Sequence, residues 1–244
     1  QVWSAALADA TLLLAAWDEE CLVYAYDTPP RFVAQCAGRT LACAAAPDRQ
    51  HALRVTPSAV ERIDAQGTST PLFQRSDAQI THACILDAYA TWQWSDGQVE
   101  VYQFVDGSYT RVPLSLASCA HLDLYVDAAG AFGPPSTWLM LAMDDGRIEL
   151  RTLPDGTLHW QSRSLRVLPS RLHAADGEQR EEQESMSISA LRLCTLGDVP
   201  TLVVQYEHGL LAVLEARPPP PASIVPFLAP TEPRTLGFVR LDAM

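Results

Sequence analysis

Residues 89–104 read YATWQWSDGQVEVYQF, and this stretch decides the fold. An aromatic, apolar run from Tyr89 to Trp94 stops at Ser95-Asp96-Gly97, and a run with period-two alternation follows. Successive strand side chains point to opposite faces. Val99, Val101 and Gln103 therefore share one face, and Glu100, Tyr102 and Phe104 share the other. Asp-Gly is suited to the positive φ angles of a tight turn, and its flanks are rich in β-forming residues. The stretch is expected to fold as a β-hairpin.

The same grammar recurs along the chain. Residues 137–153 (TWLMLAMDDGRIELRTL) turn at Asp144-Asp145-Gly146, and residues 201–216 (TLVVQYEHGLLAVLEA) turn at Glu207-His208-Gly209. Fainter copies lie at 11–26, turning at Asp18-Glu19-Glu20, and at 52–63, turning at Pro57-Ser58. The turn centres are spaced by roughly 40 to 60 residues, the spacing of four-stranded propeller blades. One hairpin cannot bury both its apolar faces, so stacking of repeats is how such a chain acquires a core. The expected fold is all-β: a β-propeller of WD40-like, four-stranded blades, about five blade-equivalents in number. The Trp17-Asp18 dipeptide sits inside a hairpin turn rather than at a blade's end, which sets the chain apart from true WD40 repeats.

Residues 1–244 are read as one partial propeller, with two interruptions. Residues 173–185 are acidic, lack large apolar side chains and read as a solvated insertion loop. Residues 217–222 contain Pro218–Pro221, which imposes polyproline II geometry and suits a stiff connector. Further strands are expected near 31–35, 40–46, 72–75, 79–86, 109–112, 118–126, 157–161, 165–168, 186–193 and 235–241, and 64–70 reads as polar loop. The start, Gln1-Val2-Trp3, carries no initiator Met or signal peptide, so the chain reads as a fragment of a longer multi-propeller protein.

Bulk properties narrow the function. The formal charge of −12 argues against a general phosphate-binding surface, because such affinity comes from Lys and Arg displacing counterions. All 17 basic residues are Arg, and Asn is absent as well, which suits a coding bias better than a binding role. Six cysteines lie at 21, 36, 43, 84, 119 and 194 without a CxxC pair, mostly in apolar strand patterns, and are read as free thiols of a reducing compartment. On a strand, residues two apart share a face, so His82-x-Cys84 and Cys119-x-His121 could each point one way, and they could hold zinc only if both pairs converged tetrahedrally; the plainer reading is four ordinary strand residues. Asp87, Asp123, Asp127 and Glu149 lie near strand ends, where a propeller glycosidase would carry paired carboxylates, but nothing fixes their separation. Asp96, Asp144, Asp145 and Asp155 belong to turns. No GxSxG, phosphate loop or dinucleotide fingerprint occurs. The expectation is no catalytic, cofactor-binding or metal residues, no cofactor, and binding residues unknown.

The order of these segments resembles one family. It comprises the long three-propeller scaffolds that include the largest subunit of the cleavage and polyadenylation specificity factor, the large damaged-DNA-binding protein and a related spliceosomal subunit. Residues 80–104 (ITHACILDAYATWQWSDGQVEVYQF), 138–154 (WLMLAMDDGRIELRTLP) and 200–218 (PTLVVQYEHGLLAVLEARP) are most similar to the polyadenylation-factor branch. Residues 53–63 (LRVTPSAVERI) match its early hairpin in type, with the basic residue and Glu61 shuffled. Departures are the short acidic stretch 173–185 and a reduced connector after 104. The resemblance implies part of a second propeller and a nuclear, non-enzymatic scaffold of pre-mRNA 3′-end processing. Its partners would be the other subunits of that complex, which themselves read the polyadenylation signal in RNA. Adaptors of the same superfamily, serving DNA repair with ubiquitin ligation or splicing, are the alternative, and a propeller hydrolase is a third.

Overall fold

A computed structural model describes residues 1–17, 19–127, 136–162, 188–196, 199–206, 210–215 and 234–240. Among them are twenty strands and no helix. The strands form five four-stranded antiparallel sheets, each joined in simple up-and-down order. Sheet A holds β1 (Val2–Ala6), β2 (Thr11–Ala16), β3 (Glu20–Ala25) and β4 (Arg31–Ala37). Sheet B holds β5 (Ala42–Ala45), β6 (Ala52–Val55), β7 (Ala59–Ile63) and β8 (Ser69–Gln74). Sheet C holds β9 (Ile80–Leu86), β10 (Tyr89–Trp94), β11 (Val99–Val105) and β12 (Ser108–Val112). Sheet D holds β13 (Cys119–Asp127), β14 (Ser136–Met143), β15 (Ile148–Thr152) and β16 (Leu158–Gln161). Sheet E holds β17 (Ile188–Leu196), β18 (Val199–Tyr206), β19 (Leu210–Glu215) and β20 (Arg234–Arg240).

Each of the five hairpins legible in the sequence is the middle pair of its sheet: β2–β3, β6–β7, β10–β11, β14–β15 and β18–β19. The reason is burial. A middle strand is paired on both edges, and packing against its faces buries it more than its neighbours. All six residues of β10 are buried. The flanking strands are more exposed and less patterned. Only Ala5 of β1 is buried, and β1 has no counterpart among the expected strands. β8 begins at Ser69, inside the stretch expected to be loop, with Pro71 tolerated because β8 is an outer strand.

The turns differ in one respect from expectation. At 94–98, Gly97 N donates to Trp94 O (2.9 Å), Trp94 N donates to Gln98 O (2.8 Å), and only Gly97 has a positive φ, +86°. This is a type I turn closed by a glycine bulge, so Asp96 is not left-handed; its carboxylate instead accepts from Gln98 N (3.1 Å). Met143 to Arg147 repeat the arrangement around Gly146 (φ +81°). Asp106-Gly107, both at positive φ, closes a two-residue turn between Val105 and Ser108. Gly97→Val places a Cβ about 3.1 Å from the Ser118 side chain and forces a β-branched residue into the left-handed region. We expect Gly97→Val and Gly146→Val each to lose about 1–3 kcal/mol in urea unfolding. Unchanged midpoints at both would remove this turn geometry.

The chain divides into two compact units, Gln1–Ser118 with sheets A to C and Cys119–Met244 with sheets D and E. In the first unit, Leu12, Leu14 and Val23 of sheet A pack against Cys43, Ala52 and Ile63 of sheet B. Leu53, Val55 and Val60 on the other side of sheet B meet Ala90, Trp92 and Trp94 of sheet C. In the second unit, Trp138, Met140 and Ala142 of sheet D meet Leu202, Val204 and Tyr206 of sheet E. The strand expected at 165–168, the acidic stretch 173–185 and the Pro-rich stretch 217–222 lie outside the described residues.

Candidate interaction surface

The residues weighed for chemistry are occupied by structure. Asp87 has φ +53° in the tight β9–β10 turn. Buried Asp123 accepts from Arg192 Nη1 (2.6 Å) and Leu124 N (3.0 Å). Buried Glu149 accepts from Arg151 Nε (2.9 Å) and Gln161 Nε2 (3.3 Å). Asp127 is fully buried. Hydrogen bonds from Thr152 and Thr157 hold the Asp155 carboxyl below its ordinary range, and Asp145 pairs with Arg147. The two short His/Cys pairs behave differently. His82 and Cys84 face Gln93 and Thr91 in regular register, but a bulge sets Cys119 and His121 opposite the adjacent residues Met143 and Ala142. Cys119 and His121 therefore lie on opposite faces, contrary to the two-apart expectation. Among the described residues no three His, Cys, Asp or Glu side chains are placed to hold a metal. No disulfide joins the six cysteines, and burial pushes the Cys43 and Cys119 thiols up to about 12, which makes them poor nucleophiles.

Arginine carries a structural task that composition did not reveal. Each described junction between neighbouring sheets within a unit is crossed by one. Arg54 on β6 is fully buried and reaches back to sheet A and its exit. Its Nε donates to Thr40 Oγ1 (2.8 Å), Nη1 to Glu61 Oε2 (2.9 Å), and Nη2 to Ala37 O (3.0 Å) and Gly38 O. Arg75, just beyond β8, donates to Asp96 Oδ2 (2.8 Å) at the sheet C turn and lies 5.1 Å over the Trp94 ring. Arg192 of sheet E reaches Asp123 of sheet D. A planar fork can meet several acceptors at once, which a lysine ammonium cannot match.

His51, between β5 and β6, joins sheet B to sheet C by ring contact with Phe104 (6.2 Å) and Tyr109 (6.5 Å). Burial pushes its imidazole below the ordinary histidine value; Asp48 opposes this and Arg62 adds to it. Burial also lowers His82. The fold favours both neutral rings, whereas the unfolded chain takes up protons near pH ~6.5. Stability is complete above that value and falls as the pH drops through it toward the folded values. The urea midpoint should decline from pH 7.5 to 5.5, and His51→Gln with His82→Gln should flatten the decline. An equal decline in the double variant would assign it to other groups.

One face stands out as a surface. By alternation, Val2, Leu13, Ala15, Trp17, Leu22, Tyr24 and Tyr26 point away from sheet B, and Phe32 joins them, set opposite Tyr24 with an edge-to-face ring contact (5.8 Å). Val2, Trp17, Tyr26 and Phe32 are 71%, 58%, 65% and 54% exposed, and they make up most of the strongly exposed large apolar side chains among the described residues. Concentration on one sheet face, rather than scatter, is what marks an interaction surface. The sequence held a partial signal, since Trp17 opens its turn as Trp94 does, but exposure is not legible from one strand. No helix among the described residues is long and apolar enough to cross a membrane.

Comparison with known proteins bears on this fold. The family profile described as "RSE1/DDB1/CPSF1 second beta-propeller" matches residues 2–242. No curated protein matches the chain. Among solved structures, Saccharomyces cerevisiae Sqt1 superposes with a TM-score of 0.62 at 12% identity, over 99% of this chain and 62% of that one. The chain thus spans less than two thirds of the Sqt1 chain, and at this identity the likeness concerns the fold alone. Five up-and-down four-stranded sheets, the profile and the structural likeness together make the fold an all-β propeller.

Proposed function

The chain belongs to the RSE1/DDB1/CPSF1 second beta-propeller family, and from that premise we propose that it is part of a non-catalytic scaffold. The scaffold serves the nuclear complex that cleaves and polyadenylates pre-mRNA. The observation that carries this reading is the family match across residues 2–242, joined by the similarity of 80–104, 138–154 and 200–218 to the polyadenylation-factor branch. The net charge of −12 fits a protein that organises RNA-reading subunits rather than gripping phosphates itself. Its acids support the same reading: Asp123 and Glu149 are taken up by arginines and backbone or amide donors, as structural carboxylates are. Affinity in such an assembly comes from buried apolar and aromatic anchors presented on rigid sheets.

Affinity purification of the natural-length protein from nuclear extract tests the proposal. Recovery of 3′-end processing subunits is the expected result. Recovery of cullin-type ligase subunits or spliceosomal proteins in their place would keep the scaffold and replace the pathway with that of the damaged-DNA-binding or spliceosomal branch. Hydrolysis of a glycoside panel, lost on a single carboxylate substitution, would overturn the non-catalytic reading.

A further inference from the structure

We propose that Cys21 and Cys36 form a reversible oxidation site, at which hydrogen peroxide closes a disulfide that staples β4 to β3. The pairing comes from the register of sheet A. Cys21 on β3 and Cys36 on β4 stand directly opposite each other, whereas Cys43, Cys84, Cys119 and Cys194 face Arg54, Thr91, Met143 and Thr201. Gly38 N donates to Glu19 O (2.7 Å) just before this pair. Hydrogen-bonded pairs recur at every second position of an antiparallel ladder, so Cys21 and Cys36 are again such a pair, with Cα atoms about 5.5 Å apart. A disulfide spans about 4.4–6.8 Å between Cα atoms, so the backbone already stands where the bond needs it. The irregularity of this ladder falls at Val23 and Tyr24, clear of the two cysteines. Both side chains join one buried cluster with Leu14, Val23 and Cys43, so they share a face.

The surroundings suit sulfur chemistry as well as packing. Burial raises both thiols; a hydrogen bond with Thr40 and then the Arg54 guanidinium oppose it at Cys21, and Arg54 opposes it at Cys36. A thiolate at either place therefore has a cation close by. Cys36 is 6% exposed on the strand that ends the sheet, and Cys21 is 0% exposed, so a small oxidant meets Cys36 first. The Cys36 thiolate attacks one peroxide oxygen; the O–O bond breaks, hydroxide leaves and takes up the thiol proton, and a sulfenic acid remains. The Cys21 sulfur then attacks Cys36 Sγ; the S–S bond forms, the S–O bond breaks, and the hydroxyl leaves as water with the Cys21 proton. Two thiols have lost two electrons and two protons, and one peroxide has become two waters. Two molecules of a small thiol such as glutathione reverse the step by exchange and leave as their own disulfide. β4 ends at Ala37, and Ala37 O and Gly38 O accept from Arg54 Nη2, so the bond fixes the strand end that holds the junction of sheets A and B. This inference is independent of which pathway the scaffold serves.

Peptide mapping of the natural-length protein after treatment with hydrogen peroxide tests the proposal. Trypsin cuts after arginine, and Arg31 and Arg39 place Cys21, Cys36 and Cys43 in three separate peptides. The peptide ending at Arg31 should be joined to 32–39. Alkylation by iodoacetamide under denaturing conditions should be lost at Cys21 and Cys36 together and kept at Cys43, and dithiothreitol should restore both. Amide hydrogen exchange within 32–39 should slow on oxidation of the parent and stay unchanged in Cys36→Ala. Cys21→Ala gives the same reading should Cys36→Ala fail to fold. Full alkylation of both cysteines after peroxide would overturn the proposal, as would sulfinic acid at Cys36 with no joined peptide. So would a link from either cysteine to Cys43, or a link that forms only in urea. A joined peptide whose amides exchange as before would overturn the staple.

Discussion

Arg54→Met should lower the stability of the Gln1–Ser118 unit by about 3–5 kcal/mol, the range found when one partner of a buried ion pair is removed. The guanidinium is fully buried and donates to Thr40, Glu61, Ala37 and Gly38, so its loss takes this donor from two carbonyls and a hydroxyl and leaves the Glu61 carboxylate, which still accepts from Ser69 Oγ (2.9 Å), without its cation. Arg54→Lys keeps the charge but loses the fork, and should fall between parent and Arg54→Met. Arg54→Met with Glu61→Gln should recover part of the loss, because the uncompensated negative charge is gone. Thermal and urea unfolding decide the matter. If Arg54→Met melts with its parent, the junction between sheets A and B is held by Leu12, Leu14 and Ile63 alone, and arginine is incidental there.

Trp92→Ala should cost about 3–5 kcal/mol, as large-to-small aromatic changes in closed cores do. Trp92 is 0% exposed, stacks on Tyr102 at 4.5 Å and 16° between planes, and meets Phe73 at 5.6 Å. These rings come from β10, β11 and β8, so the cavity would open across two sheets at once. Trp92→Phe should cost far less. The indole Nε1–H finds no acceptor among the described residues, and replacing it removes an unsatisfied buried donor along with some volume. Equal losses for Ala and Phe would show that the indole nitrogen is satisfied by a bound water, which Phe cannot hold.

Reading particular elements shows how far the sequence reached. The hairpins at 89–104 and 137–153 were legible because β10 and β14 are rich in aromatic and apolar residues and their turns carry Asp-Gly. β1 was not, since a strand with one buried residue has no period to detect. The Cys119/His121 pair was misassigned a common face because a bulge depends on the partner strand, which one segment does not contain. The junction roles of Arg54 and Arg192 were not legible because their acceptors, such as Ala37 O and Asp123, lie 17 and 69 residues away.

By itself the sequence determined the all-β class, the four-stranded repeat, the places of the central hairpins and the acidic balance. All four are local or summed properties: alternation, turn chemistry, spacing and charge act within a few residues or over the whole composition. Only the tertiary structure decided which side chains of like local pattern are covered, which carboxylates are paired and which arginines bridge sheets. Those depend on what packs against a face, and Trp17 and Trp94 have the same local grammar with opposite exposure because a neighbouring sheet stands over one and not the other.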